Sequence, residues 1–166
     1  MTAIINASTS SGLVMTPDNS GNVQLQYNGI AAPMFRGALA TNLTVSNNTE
    51  TQISFNTEQF DTASAYSSGT FTVPVTGYYL VNCFIAWSGD ISGYWNFYWK
   101  VNGSIAYTNA YQIAFTAAAH GVAGSDLLYL TAGQTLTSFV SQQSGSTKYV
   151  TSGGETFASI AFLRGA

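Results

Sequence analysis

Charge is what this chain lacks most. Only 7% of its 166 residues are charged, four Lys or Arg against seven Asp or Glu, for a net charge of −3. Without a basic patch nothing neutralises a phosphate backbone, so nucleic acid is excluded as a partner. A surface this poor in charge must be made of Ser, Thr, Asn, Gln and Gly. That fits a polypeptide built into an assembly or facing the outside better than a cytosolic enzyme. Cysteine is nearly absent too: Cys83 stands alone and can make no intrachain disulfide. It falls within an apolar run and reads as a small buried hydrophobe. With one histidine, His120, beside that one cysteine, a Cys/His zinc set cannot be assembled. No apolar run reaches about 18 residues, which excludes a membrane-spanning helix. The opening MTAIINASTSSG lacks the basic n-region and long apolar h-region of a secretory signal. There is no Gly-X-Y repeat, hence no collagen stalk, and no amphipathic segment long enough to predict a helix.

What the chain does have is short apolar runs of period two, cut by turn residues. The stretch Gly69 to Trp87, GTFTVPVTGYYLVNCFIAW, organises the rest. Phe71 and Val73 alternate with threonines, as in a half-buried strand. Pro74 then marks a strand end or an edge, and Thr76-Gly77 supplies turn chemistry. From Tyr78 to Trp87 both faces are apolar. Tyr79, Val81, Cys83, Ile85 and Trp87 point one way; Tyr78, Leu80, Phe84 and Ala86, with Asn82 among them, point the other. A strand covered on both sides is a central strand, and the second covering is predicted to be other copies of the chain. Gly93 to Val101 repeats the pattern: Trp95, Phe97, Trp99 and Val101 share one face, and Tyr94, Asn96, Tyr98 and Lys100 the other. Asn102-Gly103 predicts a two-residue hairpin turn, with a return over 105–113. Residues 114–119 read as a small-residue loop that carries on to His120. Residues 121–130 and 135–142 read as the next pair of strands, linked by Ala132-Gly133. Many short strands with regular turns predict an all-β antiparallel sandwich.

Five pieces of the sequence, in order, resemble the complement C1q globular-head domains, relatives of the tumour necrosis factor jelly roll. Met34-Phe35-Arg36-Gly37-Ala38 resembles that family's first strand. Thr44 to Thr49, followed by Phe55-Asn56-Thr57-Glu58-Gln59-Phe60-Asp61, resembles its next segment. Phe71 to Val81, FTVPVTGYYLV, resembles its strand-turn-strand signature. Asp126 to Gln134 is similar to a D-x-x-x-L-x-x-G-D pattern, with Gln134 in place of the final Asp. Thr156 to Leu163 resembles the last strand. The resemblance spans roughly residues 33 to 164 and implies a ten-stranded antiparallel jelly roll that assembles as a homotrimer. Tyr78, Leu80, Phe84, Tyr94 and Tyr98 are the residues predicted to lie near the three-fold axis.

Chemistry is sparsely provided for. A Ser-His-Asp arrangement would have to use His120, and a thiol nucleophile would have to use Cys83, which has no activating cation near it in sequence. The seven carboxylates are scattered, with no close pair for acid-base work. No catalytic residue, cofactor or metal is therefore predicted. Some C1q-like heads bind calcium near the trimer axis, and loop carboxylates are its usual ligands. Asp90, Asp126 and Glu155 are the candidates for that. The rings Tyr94, Trp95, Tyr98, Trp99, Tyr107 and Tyr111 mostly alternate within strands and read as core or subunit packing. Any that ends exposed could stack on a sugar, which makes host surface glycans a second class of partner.

Residues 1–32 differ from the rest and read as an arm, with 33–166 as the head. Ile4, Ile5, Leu13, Val14 and Met15 form short apolar patches too small for a core of their own, and Pro17-Asp18-Asn19-Ser20-Gly21 is a strong turn. SGLVMTPDNSGNVQLQYNGI resembles a segment that recurs in bacteriophage virion proteins. Together these predict a non-enzymatic structural protein of a phage particle. It would be made in the host cytoplasm and displayed on the virion surface as a capsid decoration, cement or short head fibre. The arm would dock it to other virion proteins of the capsid or tail, without membrane insertion. The alternatives are a receptor-binding tip of a tail fibre and a secreted bacterial adhesin module. The arm is short for a fibre shaft, and the missing signal weighs against secretion.

Overall fold

The structure, a computed structural model, describes residues 26–27, 30–88, 93–106, 110–113 and 119–165; for 26–27, 30–31, 110–113 and 119–120 the backbone alone is described. These residues form sixteen strands and no helix. In chain order the strands are β1 (Gln26–Tyr27), β2 (Ile30–Ala31), β3 (Met34–Leu39), β4 (Leu43–Val45), β5 (Thr51–Ile53) and β6 (Thr57–Asp61). They continue with β7 (Tyr66–Ser67), β8 (Thr70–Thr72), β9 (Gly77–Ser88), β10 (Tyr94–Val101), β11 (Ser104–Ile105) and β12 (Ala110–Ile113). The last four are β13 (Ala119–Leu130), β14 (Thr135–Gln143), β15 (Lys148–Val150) and β16 (Gly153–Gly165). Every pairing is antiparallel. Where ten strands are predicted the sandwich has fourteen, and two more form a ribbon of their own.

Two seven-stranded sheets make a jelly-roll sandwich, and β1 and β2 form a separate two-stranded ribbon ahead of it. In the first sheet β9 is flanked by β13 on one side and by β16 and β15 on the other; β3 and β4 follow, then β6. In the second sheet β10 and β14 lie side by side. β11 and β12 pair with the free edge of β10, and β5 and β8 with that of β14. Strand β9 is thus the central strand of its sheet, as its two apolar faces predict. Tyr79, Val81, Cys83, Ile85 and Trp87 are buried inward. They meet Trp95, Phe97 and Trp99 from β10, with Trp87 and Trp95 edge to face at 4.5 Å between ring centroids. Such pairs add to plain area burial.

Strand β14 sends two polar side chains into this core, and both are satisfied, as most buried polar groups are. The Ser138 hydroxyl donates to the Ile53 carbonyl at 3.2 Å. The Gln142 amide donates to the carbonyls of Val45 (3.0 Å) and Ser146 (2.8 Å) and accepts from the Ser144 N–H at 2.8 Å. Gln142 therefore ties the 143–147 turn to the first sheet. The Asn102-Gly103 turn between β10 and β11 has φ of 49° and 79°. Both central residues are left-handed, which is why Asn-Gly suits it.

Two sequence expectations change here. His120 does not lie in a loop: it belongs to β13, where its backbone stands opposite Trp87. Ala119 and His120 extend the strand read over 121–130, by pairing with Ser88 and Trp87 of β9. The runs 121–130 and 135–142 are both strands, but not a mutually paired hairpin. β13 pairs with β9 and β14 with β10, so the 131–134 turn passes from one sheet to the other. A jelly roll requires such crossings, and local pattern does not display them.

Candidate functional site

The sandwich has two outer faces of contrasting chemistry. The first is the outside of the β9 sheet. Tyr78, Leu80, Asn82 and Phe84 run down its centre, opposite Tyr129, Leu127, Ser125 and Ala123 of β13 on one side. On the β16 side, Leu80 stands by Ala161, Asn82 by Ser159 and Phe84 by Phe157. Leu127, Tyr129 and Leu163 are 55%, 53% and 54% exposed, and Met34 and Phe60 are exposed beside them. Rings cluster at both ends: Tyr78 with Tyr129 at 5.3 Å, Phe84 with Phe157 at 6.5 Å. The two arginines lie flat on this surface, Arg36 at 4.2 Å over the Phe157 ring and Arg164 at 4.9 Å over Tyr78. Cation–π contact is strongest when such a pair is shielded from water. In the middle Asn82 donates to the Ser159 hydroxyl at 3.4 Å. Gly121 completes the face: the Phe84 ring lies where its Cβ would be, 2.1 Å from that position.

The second face is the outside of the β10–β14 layer. Tyr94, Asn96, Tyr98 and Lys100 stand opposite Gln143, Ser141, Phe139 and Thr137. The Ser141 hydroxyl is a hub, bonded to the Tyr98 hydroxyl and accepting from the Asn96 amide at 3.2 Å. Lys100 is held by Glu50 and rests 4.2 Å over the Phe139 ring. Gln52 flanks Phe139 on β5.

The five residues predicted to line one axis therefore divide. Tyr78, Leu80 and Phe84 share the first face; Tyr94 and Tyr98 lie on the second, across the core. The face that joins the first three is completed by Leu127, Tyr129, Phe157, Leu163, Met34 and Arg36, which the sequence reading did not single out. For Leu127 and Tyr129 a signal existed, since they alternate with Asp126 and Leu128. The arm residues Ile4, Ile5, Leu13, Val14 and Met15 lie outside the described residues, as do Asp90 and Tyr107.

Reactive groups do not converge. Burial pushes the Cys83 thiol up to about 12, only partly opposed by a hydrogen bond to the Gly124 backbone. A thiol so protonated is a poor nucleophile. Among the described residues no three His, Cys, Asp or Glu side chains gather to hold a metal. Asp126 accepts from the Leu127 N–H at 2.8 Å, and Glu155 sits on β16.

The sandwich is similar in fold to solved jelly-roll domains of the C1q and tumour necrosis factor kind. The globular domain of zebrafish complement 1qA matches with a TM-score of 0.56 at 16% identity, over 79% of this chain and 96% of that one. Murine APRIL matches with 0.62 at 13% identity, over 80% and 99%. The Eiger TNF structure from S. frugiperda matches with 0.54 at 19% identity, over 81% and 93%. Identities this low define the fold alone. No family model matches the chain, and no curated protein does.

Proposed function

We propose that this protein is a non-enzymatic binding module that assembles as a homotrimer, and that it serves as a surface structural protein of a bacteriophage particle. The observation that carries the assembly is the outer face of the β9 sheet. Leu127, Tyr129 and Leu163 are more than half exposed there, on a surface continuous with Tyr78, Leu80, Phe84 and Phe157. A contiguous apolar patch of this kind marks an interaction surface, and each such side chain contributes about 1.5–3 kcal/mol once covered. Further copies of the chain are the simplest cover, because closed symmetry satisfies every chain at once. The resemblance of residues 33–164 to the C1q heads favours three copies over two.

The virion role is supported by the phage-like segment within residues 1–32, by the arm's apolar patches, and by the charge-poor composition. The chain enters the head at the end of the β9 sheet where β16 finishes. There Pro33 accepts from the Phe162 N–H at 2.9 Å, and the Thr62 hydroxyl donates to Ala32 at 2.9 Å. Three arms would leave a trimer from that one end, and weak docking by each would add through avidity. Light scattering of the purified chain tests the trimer: a stable monomer at micromolar concentration overturns it. Deleting residues 2–30 tests the arm. The truncated head is expected to stay soluble and trimeric while losing its place on purified particles. If it joins particles as well as the full chain, attachment lies on the jelly roll. A receptor-binding tip is the second reading, favoured by the polar, ring-bearing second face; binding of both forms to whole bacteria and not to particles would select it.

A further inference from the structure

We propose that the outer face of the second sheet is a binding platform for an uncharged glycan, built on Tyr94, Asn96, Tyr98, Ser141 and Gln143. Tyr94 and Gln143 stand opposite each other in register, and Asn96 and Ser141 form the next row. Tyr94 is 43% exposed and Gln143 is exposed. Sugars present weakly apolar C–H faces and a rim of hydroxyls, so they are recognised by aromatic surface flanked by amides and hydroxyls. This face offers that combination on two adjacent strands, where side-chain spacing is fixed by backbone pairing rather than by a loop. Ser141 bonds to both Tyr98 and Asn96, which orients the Asn96 amide and leaves its carbonyl oxygen without a partner among the described residues. The platform is therefore preorganised.

Charge decides the class of ligand. Lys100 is the cation of this face, and it is consumed by Glu50 and by the Phe139 ring. Among the described residues no unpaired positive group remains on the platform to meet a phosphate, sulfate or uronate, whose recognition calls for Arg or Lys. A neutral hexose chain asks for no countercharge. The first face, by contrast, is apolar and faces self-association, so the two surfaces would work without competing. The inference rests on the reading of the protein as a binding module, but not on where the assembly is displayed.

The test is a titration of the full-length chain, observed by amide NMR or calorimetry, with cellohexaose, maltohexaose and mannohexaose as neutral probes and oligogalacturonate as the anionic one. At least one neutral probe is expected to bind, with perturbations centred on β10 and β14. Tyr94→Ala and the Asn96→Ala, Gln143→Ala double variant are each expected to weaken it about tenfold, equivalent to about 1.4 kcal/mol. Tyr98→Phe is expected to weaken it less, since the ring stays and only the bond to Ser141 goes. All four positions are at least partly exposed, and light scattering on the same samples separates loss of sugar binding from loss of assembly. The assembly-breaking Leu127→Asp, conversely, is expected to leave binding per chain unchanged. Absence of binding by every neutral probe at about 10 mM, well above the weakest affinities usually counted as specific, overturns the proposal. So does tighter binding of oligogalacturonate, or a Tyr94→Ala variant that binds like the parent.

Discussion

The two outer faces of the sandwich come from strands with the same alternation, yet they ask for different surroundings. Down β9 the outward residues are Tyr78, Leu80, Asn82 and Phe84; down β10 they are Tyr94, Asn96, Tyr98 and Lys100. Both are half-covered by their own chain. The difference lies in the neighbours. β13 and β16 add Leu127, Tyr129, Phe157 and Leu163 to the first face, whereas β14 and β5 add Ser141, Gln143, Thr137 and Gln52 to the second, with Phe139 as their one ring there. One strand pattern thus becomes a cohesive face or a wettable one according to the strands beside it, and a sheet is read across as well as along.

The two faces are told apart most strongly by placing the same charge on each. Leu80→Asp puts a carboxylate at the centre of the first, where assembly would bury it unpaired, at a cost of roughly 2–5 kcal/mol per chain. It is expected to abolish the proposed trimer and to lower the folded yield. Leu127→Asp separates the two effects, because Leu127 is 55% exposed in the single chain. Its folding should change by no more than about 0.5 kcal/mol while the proposed trimer dissociates. Thr72→Asp, exposed on the second sheet, should alter neither. Equal molecular masses by light scattering for all three variants would remove the distinction between the faces.

A smaller effect is expected where the first face is most tightly fitted. A Cβ on Gly121 would sit 2.1 Å from the Phe84 Cζ, so Gly121→Val must displace that ring, which also stacks on Phe157. Overpacking of this kind costs about 1–3 kcal/mol, read as a lower urea midpoint. Removing the obstacle should remove the penalty: in the Phe84→Ala background, Gly121→Val should cost far less. A double-mutant cycle measures this directly, and additive penalties would show that the ring does not determine the glycine.

Much of this architecture was legible along single strands. The apolar doubling of Tyr78 to Trp87 marked the central strand, the Trp95, Phe97, Trp99 alternation marked the facing layer, and Asn102-Gly103 marked its turn. What single strands could not reveal is which sheet each one joins. Tyr94 and Tyr98 read as companions of Tyr78 and Leu80 because both sets are outward and apolar; only the long-range pairing of β10 with β14 sets them on opposite sides. His120 reads as loop for a related reason. It closes a run of small residues with little strand preference of their own, and residues 119–120 become strand by lying along β9.

Strand β9 itself has an outer and an inner side, and on the inner one the expected effect is the smallest and depends on pH. Cys83 faces inward and is 4% exposed; burial raises its thiol from 9.0 to about 12. Between those values the unfolded chain has released the proton and the folded chain has kept it. The folded state then binds more protons, so stability falls as pH rises. The thiol's contribution is whole below about pH 9, erodes above it, and is lost by about pH 12. At pH 10 the loss from this one group is about 1.4 kcal/mol, the free energy of a tenfold shift in its ionisation. Tyr79, raised to about 12 by the same burial, adds its own alkaline decline but does so in any Cys83 variant. Urea unfolding at pH 7.5 and pH 10 isolates the thiol: Cys83→Ala should lose about 1.4 kcal/mol less than the parent between the two conditions. Equal losses in the two proteins would mean that water reaches the inner side of β9 at this position, and that the dry layer between the sheets is more open than the packing of Trp87 and Trp95 implies.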